Sequence, residues 1–302
     1  MLAGIPQKLW LPFDPYAKVF SEMQEERPNL EGLEEVLDLI ANDPRLPSNF
    51  PGWVRASART GEFKVRVLRH ILDCAPRNAV PPSLLDVGAQ FGSLALYAAK
   101  LGFRVAAVDT GPFANRFREI ATDQGVDYQE CDVASQPLPF ADCTFEFVTY
   151  TDVLEHHSFS PKRVLQEIHR VLFPGGQLIL LTPNHASIYN RLTLLFGRSI
   201  NDDLEYFFDT SAADVVYDGH HREYTRAEVK TLLQRTGFRV KECRIVEQEL
   251  IPLVRYLRRH PSESQGLPKF RDLLLCALGK IWTSLHLPFG RWIWAVGQKP
   301  SA

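Results

Sequence analysis

The stretch Leu84–Gly102, LLDVGAQFGSLALYAAKLG, constrains this chain more than any other. A short apolar run ends in an acid, Gly88 and Gly92 stand four residues apart, and a helix of small and apolar residues follows. A strand that opens through glycines into a helix is a ligand-binding device. The helix N-terminus carries unpaired N–H groups, and glycine lets a ligand approach the backbone. Two common ligands fit the spacing poorly. A triphosphate loop requires Gly-x-x-x-x-Gly-Lys-Ser/Thr, and Gly88 and Gly92 are too close together for it. The dinucleotide fingerprint Gly-x-Gly-x-x-Gly, started at Gly88, needs glycine at positions 90 and 93, where Gln90 and Ser93 stand. What remains is an acid, Asp86, two residues before the first glycine, with Gly92 closing the turn.

Around this loop the chain alternates. The runs SLLDVG, FRVAAVD, VDYQECD, FEFVTYTD and GGQLILLTPN read as strands, and SLALYAAKLG, PFANRFREIATDQG and PKRVLQEIHRVL as the helices between them. Two helices precede the first strand, at 30–43 and 61–75. After the fifth strand, residues 185–219 read as irregular and aromatic. A helix over 225–238 follows, with Thr225 and Glu228 at capping-box spacing. RVKECRIVE and RWIWAVGQ supply a sixth and a seventh strand. Strands and helices alternating at this spacing imply a doubly wound, mainly parallel sheet. Residues 1–60 form an N-terminal extension, 61–184 the core, and 185–302 the remaining core elements with an insertion at 248–290.

The 302 residues are 45% hydrophobic and 23% charged, enough to bury a sizeable core. A net charge of -2 gives no bulk attraction to nucleic acid. Five cysteines without a Cys-x-x-Cys pair point neither to a disulfide framework nor to a zinc ribbon. The opening residues MLAGIPQKLWLPFDPY lack the apolar core and cleavage pattern of a secretion signal. The expected location is the cytoplasm, or a membrane surface reached from it.

Four separated segments, LLDVGAQFG, VAAVD, TYTDVLEHH and EIHRVLFPGGQLILLTPN, together resemble the class I S-adenosylmethionine (SAM) dependent methyltransferases. The likeness is to the small-molecule branch with a Leu-Glu-His turn after strand four. The resemblance implies an α/β fold with a Rossmann-like, doubly wound, mainly parallel seven-stranded sheet. An N-terminal helical extension and a helical insertion before the last strand complete it. SAM is the implied cofactor. Asp86, Gly88, Ala89, Gln90 and Gly92 would form the loop against its methionine part and ribose. Asp109, with Thr110 beside it, would accept the ribose hydroxyls. Asp132 and Val133 would meet the adenine, and Thr151 and Asp152 would face the sulfonium.

Methyl transfer to a hydroxyl needs alignment and a proton acceptor, a role histidine suits at neutral pH. His157 and His156 are the base candidates, with Asp152 beside them, and His185, His220 and His221 are further candidates for base or metal ligand. No metal is the primary expectation. The arrangement Asp152, Glu155, His156 is nevertheless the one that resembles divalent-ion ligands in ubiquinone-pathway O-methyltransferases and small-RNA 3'-end methyltransferases.

The expected acceptor is a small molecule methylated at a hydroxyl: a sugar, a phenolic or polyketide-like compound, or a lipid-linked intermediate. Methylation of RNA or protein, and a non-catalytic scaffold, are the alternatives. Tyr189, Phe196, Tyr206, Phe207, Phe208 and Tyr217 would wall an apolar cavity or build a lid. The insertion 248–290, rich in Leu and Arg, would pack on the domain or on a second subunit of a homodimer, or contact a lipid-like substrate or a membrane surface.

Overall fold

A computed structural model of the chain describes residues 28–46, 50–56, 61–75, 80–202, 204, 208, 219–246 and 290–301. Helices α1 (Leu30–Ala41), α2 (Phe50–Ala56) and α3 (Gly61–Cys74) lead into strand β1 (Ser83–Val87). There follow α4 (Ser93–Lys100), β2 (Arg104–Asp109), α5 (Gly111–Asp123), β3 (Asp127–Glu130) and β4 (Phe145–Thr151). After a 3-10 turn at Leu154–His156 come α6 (Lys162–Val171), β5 (Leu172–Pro183), α7 (Ile188–Leu195), α8 (Arg226–Arg235), β6 (Arg239–Val246) and β7 (Trp292–Gln298).

The seven strands lie in the order β3-β2-β1-β4-β5-β7-β6. Pairing is parallel from β3 through β5, whereas β7 runs antiparallel to both β5 and β6. The Rossmann-like, mainly parallel sheet expected from the sequence is thus present. Chain order reverses at β1 and β4, which puts a crevice beyond their carboxyl ends, the place where open α/β sheets bind ligands.

The strand sequences are apolar on both faces because both faces are covered. Leu84, Phe147, Ile179 and Trp294 point to the side carrying α1, α3, α4 and α5. Leu85, Val148, Leu180 and Ile293, their neighbours in sequence, point to the side carrying α6 and α8. The N-terminal extension is tied to this core where it is described. Leu33, Leu37 and Ile40 of α1 are buried in the first cluster, and the Tyr97 hydroxyl donates to the Asn29 carbonyl and accepts from its N–H.

Local differences from the sequence reading have local causes. α7 lies inside a segment read as irregular, and the Ser187 side chain caps it by accepting from Asn190 N–H. β5 starts at Leu172, ahead of the run GGQLILLTPN, and Gly175 N–H donates to the Lys299 carbonyl across the sheet. The capping box on α8 is complete, with Thr225 and Glu228 each bonding the other's backbone N–H. Among the described residues, Cys74, Cys131, Cys143 and Cys243 are free thiols. No described helix is long and apolar enough to cross a membrane. Residues 1–27, the stretch 247–289, Tyr206, Phe207 and Tyr217 lie outside the described residues, and with them most of the insertion.

Candidate functional site

The loop after β1 is built by backbone conformation. Gly88 (φ +77°), Gln90 (φ +50°) and Gly92 (φ +69°) occupy the left-handed region. The Gly88 and Ala89 N–H groups both donate to the Val108 carbonyl, at 2.9 and 3.1 Å. A Cβ on Gly88 would lie 2.4 Å from Val153 Cγ2, so glycine is demanded there by space as well as by φ. Gln90 accepts a left-handed conformation at an energetic cost, and its backbone N–H donates to Asp109 Oδ2 at 2.6 Å. Thr110 N–H donates to Asp109 Oδ1 at 2.7 Å. Both carboxylate oxygens are therefore fixed while lone pairs remain for a ligand. Burial raises the Asp109 pKa, and these backbone donors oppose the rise.

Asp132 forms a local turn. Its Oδ1 accepts from Ala134 N–H at 3.0 Å and its Oδ2 from the Ser135 hydroxyl at 2.6 Å. Val133 packs half-buried on the second core cluster.

Below the loop, Asp86 is buried and accepts from the Thr149 hydroxyl at 2.7 Å. Burial pushes its pKa up to about 6 against the charge of Lys64. Asp152 follows Thr151 at the end of β4 with φ +56°, and its Oδ1 is buried without a hydrogen-bond partner. Burial likewise pushes its pKa up to about 6, opposed by Lys64 and then by His220.

The turn after β4 divides the two base candidates. His157 is 9% exposed, hydrogen-bonded through Nε2 to the Tyr150 hydroxyl and packed 4.3 Å from the Phe159 ring. Burial, reinforced by the charge of His156, pushes its pKa down to about 4. Its reactive nitrogen is engaged and its basicity is low. His156 is exposed, with its ring centroid 5.0 Å from that of His220. One ligand atom each from Glu155, His156 and His220 lies within 4.8 Å of the others. Asp152 does not belong to this group; His220 takes the place that the sequence spacing gave to it.

Backbone bonds cause that meeting across 65 positions of sequence. His221 and Arg222 N–H groups donate to the Glu155 carbonyl at 2.9 and 3.2 Å, and His185 N–H donates to the Tyr224 carbonyl at 2.9 Å. His220 Nδ1 is 3.2 Å from Glu223 Oε1, which raises the His220 pKa. The buried Glu155 accepts from the Thr182 hydroxyl at 2.9 Å, and burial with the neighbouring Asp152 pushes its pKa up to about 8.

Beside the cluster lies a cavity of about 320 Å³ lined by His185, Asp202, His220, His221, Arg222 and Glu223 among others. It is polar, and Tyr189, Phe196 and Phe208, the described aromatics among those expected to wall a cavity or build a lid, are not in its lining. Phe196 and Phe208 are 75% and 72% exposed, and Tyr189 packs under the Arg291 guanidinium 5.7 Å away.

Residues that the sequence reading missed complete the arrangement. Lys64 on α3 donates to Ser93 Oγ at 2.8 Å, at the first residue of α4. It shares a helical stripe with Gly61, Leu68 and Ile71, all buried, and that placement is the signal that marks it in the sequence. Thr149, Thr182 and Glu223 are the others, and only the His220, Glu223 spacing of three is visible in sequence.

A family model described as a methyltransferase domain matches residues 60–242. A sarcosine/dimethylglycine N-methyltransferase of Halorhodospira halochloris is 38% identical over 107 residues, which is 34% of this chain and 38% of that protein. A ubiquinone/menaquinone biosynthesis C-methyltransferase of Desulfotalea psychrophila is 34% identical over 170 residues, 51% of this chain and 65% of that protein. The chain thus spans less than two thirds of the length of either. A crystal structure of a methyltransferase from Galdieria sulphuraria shares the fold, with a TM-score of 0.51 at 15% identity over 95% of this chain and 99% of that one.

Proposed function

The chain belongs to the class I SAM-dependent methyltransferase family, and on that premise we propose that it transfers the methyl group of SAM to an oxygen of a small-molecule acceptor. In this reading the loop after β1 holds the methionine part and the ribose, and Asp109 takes the ribose hydroxyls. Asp132 and Val133 lie along the adenine. Thr151 and Asp152 stand near the sulfonium, and the acceptor enters through the polar cavity beside Glu155.

The acceptor oxygen attacks the methyl carbon in line. The C–S bond breaks, and S-adenosylhomocysteine leaves with the electron pair on sulfur. A hydroxyl must also lose its proton, and His156 and His220 are the acceptors assigned to it. Glu223 binds Nδ1 of His220, which leaves Nε2 for that work. His157 has no such role, because Tyr150 engages its Nε2.

The observation that carries the oxygen reading is the meeting of Glu155, His156 and His220 beside the cavity. An amine attacks through its own lone pair as the free base and needs no such cluster. The likeness of the turn to that of ubiquinone-pathway O-methyltransferases supports the same choice. The three donors also fit a divalent cation, since His220 is oriented through its second nitrogen as metal-bound histidines are. Such an ion, when bound, lowers the pKa of a hydroxyl it contacts.

The test joins calorimetry to product analysis. Wild type should bind S-adenosylhomocysteine, and Asp109→Ala should weaken that binding about tenfold or more, as loss of a charge-assisted pair does. Mass spectrometry of reactions with phenols, diols and amines should find O-methyl products. Equal affinity in Asp109→Ala removes the ribose assignment, and an exclusively N-methylated product overturns the oxygen reading. A folded wild type that binds no S-adenosylhomocysteine leaves the scaffold alternative standing.

A further inference from the structure

Lys64 belongs to none of the motifs that identify the family, yet it stands where the loop, α4 and the end of β4 converge. On α3 it occupies the stripe of Gly61, Leu68 and Ile71, a face turned to the core. A lysine on such a face is uncommon unless something compensates its charge. The residue as a whole is half-buried, and burial lowers the pKa of its ammonium.

The ammonium donates to Ser93 Oγ at 2.8 Å. Ser93 opens α4 directly after Gly92, a cap without a side-chain hydrogen bond. A cation at a helix N-terminus sits at the positive end of the helix dipole, where an anion is favoured instead. The charges of the Asp152 and Asp86 carboxylates favour the ammonium. The group therefore brings a cation and a hydroxyl at the first residue of α4 together with the charges of two carboxylates. An α-amino acid head group has the complementary pattern, one carboxylate and one ammonium.

We propose that Lys64 receives the carboxylate of the methionine part of SAM, with the Ser93 hydroxyl beside it, while Asp86 and Asp152 face the ammonium and sulfonium side. The assignment rests on the cofactor reading above. It also accounts for the charge balance. At the amino-acid end of the site, away from Asp109, Lys64 with Asp86 and Asp152 sums to a single negative charge, and the carboxylate, ammonium and sulfonium of SAM sum to a single positive one. Ser93 accepts from Lys64 through an oxygen lone pair, so its own proton is available to the same carboxylate.

The experiment compares two ligands that differ only at the carboxylate: S-adenosylhomocysteine and its decarboxylated form, 5'-deoxy-5'-(3-aminopropylthio)adenosine. Calorimetry on wild type, Lys64→Met and Lys64→Arg reads binding without any acceptor present. Wild type should prefer S-adenosylhomocysteine about tenfold or more, the scale of a desolvated charge-assisted pair. Lys64→Met should lose that preference and keep its affinity for the decarboxylated ligand, and Lys64→Arg should retain most of the preference. Three results overturn the assignment: a preference unchanged in Lys64→Met, equal weakening of both ligands by Lys64→Met, or a wild type indifferent to the carboxylate. Failure of folded wild type to bind either ligand is a separate result, which overturns the cofactor reading and this assignment with it.

Discussion

The loop after β1 and the turn after β4 face one another, and they are held in different ways. The loop is fixed by its own backbone: left-handed residues at 88, 90 and 92, and main-chain N–H groups that bind Val108 and Asp109. The turn is fixed by side chains and by a distant segment, with Thr182 on Glu155, Tyr150 on His157, and the N–H groups of His221 and Arg222 on the Glu155 carbonyl. A ligand site made of backbone tolerates side-chain change and fails when a conformation is lost. A site made of side chains keeps its fold and loses its chemistry one group at a time.

The largest break in that comparison is Gly88→Ala. A Cβ placed 2.4 Å from Val153 Cγ2, at φ +77°, should destabilise the protein by about 2–4 kcal/mol through overpacking and left-handed strain. Chemical denaturation measures it, and binding of S-adenosylhomocysteine should fall with it. An effect below about 1 kcal/mol would mean that the loop is not conformationally fixed.

Asp86→Asn tests the charges beneath the loop. The folded pKa of Asp86, about 6, lies above the ordinary carboxylate value. The native state therefore holds a proton that the unfolded chain has released between roughly pH 4 and 6. This contribution to stability is complete below the unfolded pKa and is lost as pH rises through the folded one. Over that window the ligand-free protein should lose about 2 kcal/mol from this group, and Asp86→Asn should show a correspondingly shallower slope. Equal slopes would refute the raised pKa.

The histidines of the turn should separate by readout. His156→Ala and His220→Ala should each lower kcat about tenfold or more, in line with loss of general-base assistance, and leave S-adenosylhomocysteine affinity unchanged. His157→Ala should instead cost about 1–3 kcal/mol of stability by stranding the buried Tyr150 hydroxyl, with kcat per folded molecule preserved. The reverse pattern would return the base to His157.

Gln90→Gly should have the smallest effect. Only the backbone N–H of residue 90 binds Asp109, so relief of the left-handed strain and the added chain entropy nearly offset each other, within about 1 kcal/mol. A larger change in ligand affinity would show that the glutamine side chain takes part.

The sequence determined the sheet, because its signals are local. Apolar runs of strand length, helical periodicity, the Thr225 and Glu228 box and the paired glycines each act within a few residues. The acid ending β2 and the loop after β1 were legible for the same reason. The place of Lys64 was encoded only as a stripe on α3, visible once the buried face is known.

The partner of Glu155 and His156 was decided by tertiary structure alone. Spacing offered Asp152, three residues before Glu155, but Asp152 stands outside the group that Glu155 and His156 form with His220. His220 enters through backbone bonds between segments that are distant in the chain. Burial divided the adjacent histidines in the same way, enclosing His157 and leaving His156 exposed. Local sequence fixes conformation through sterics and hydrogen bonds to near neighbours. Which side chains share a site, and with what proton affinity, follows from the packing of the whole chain.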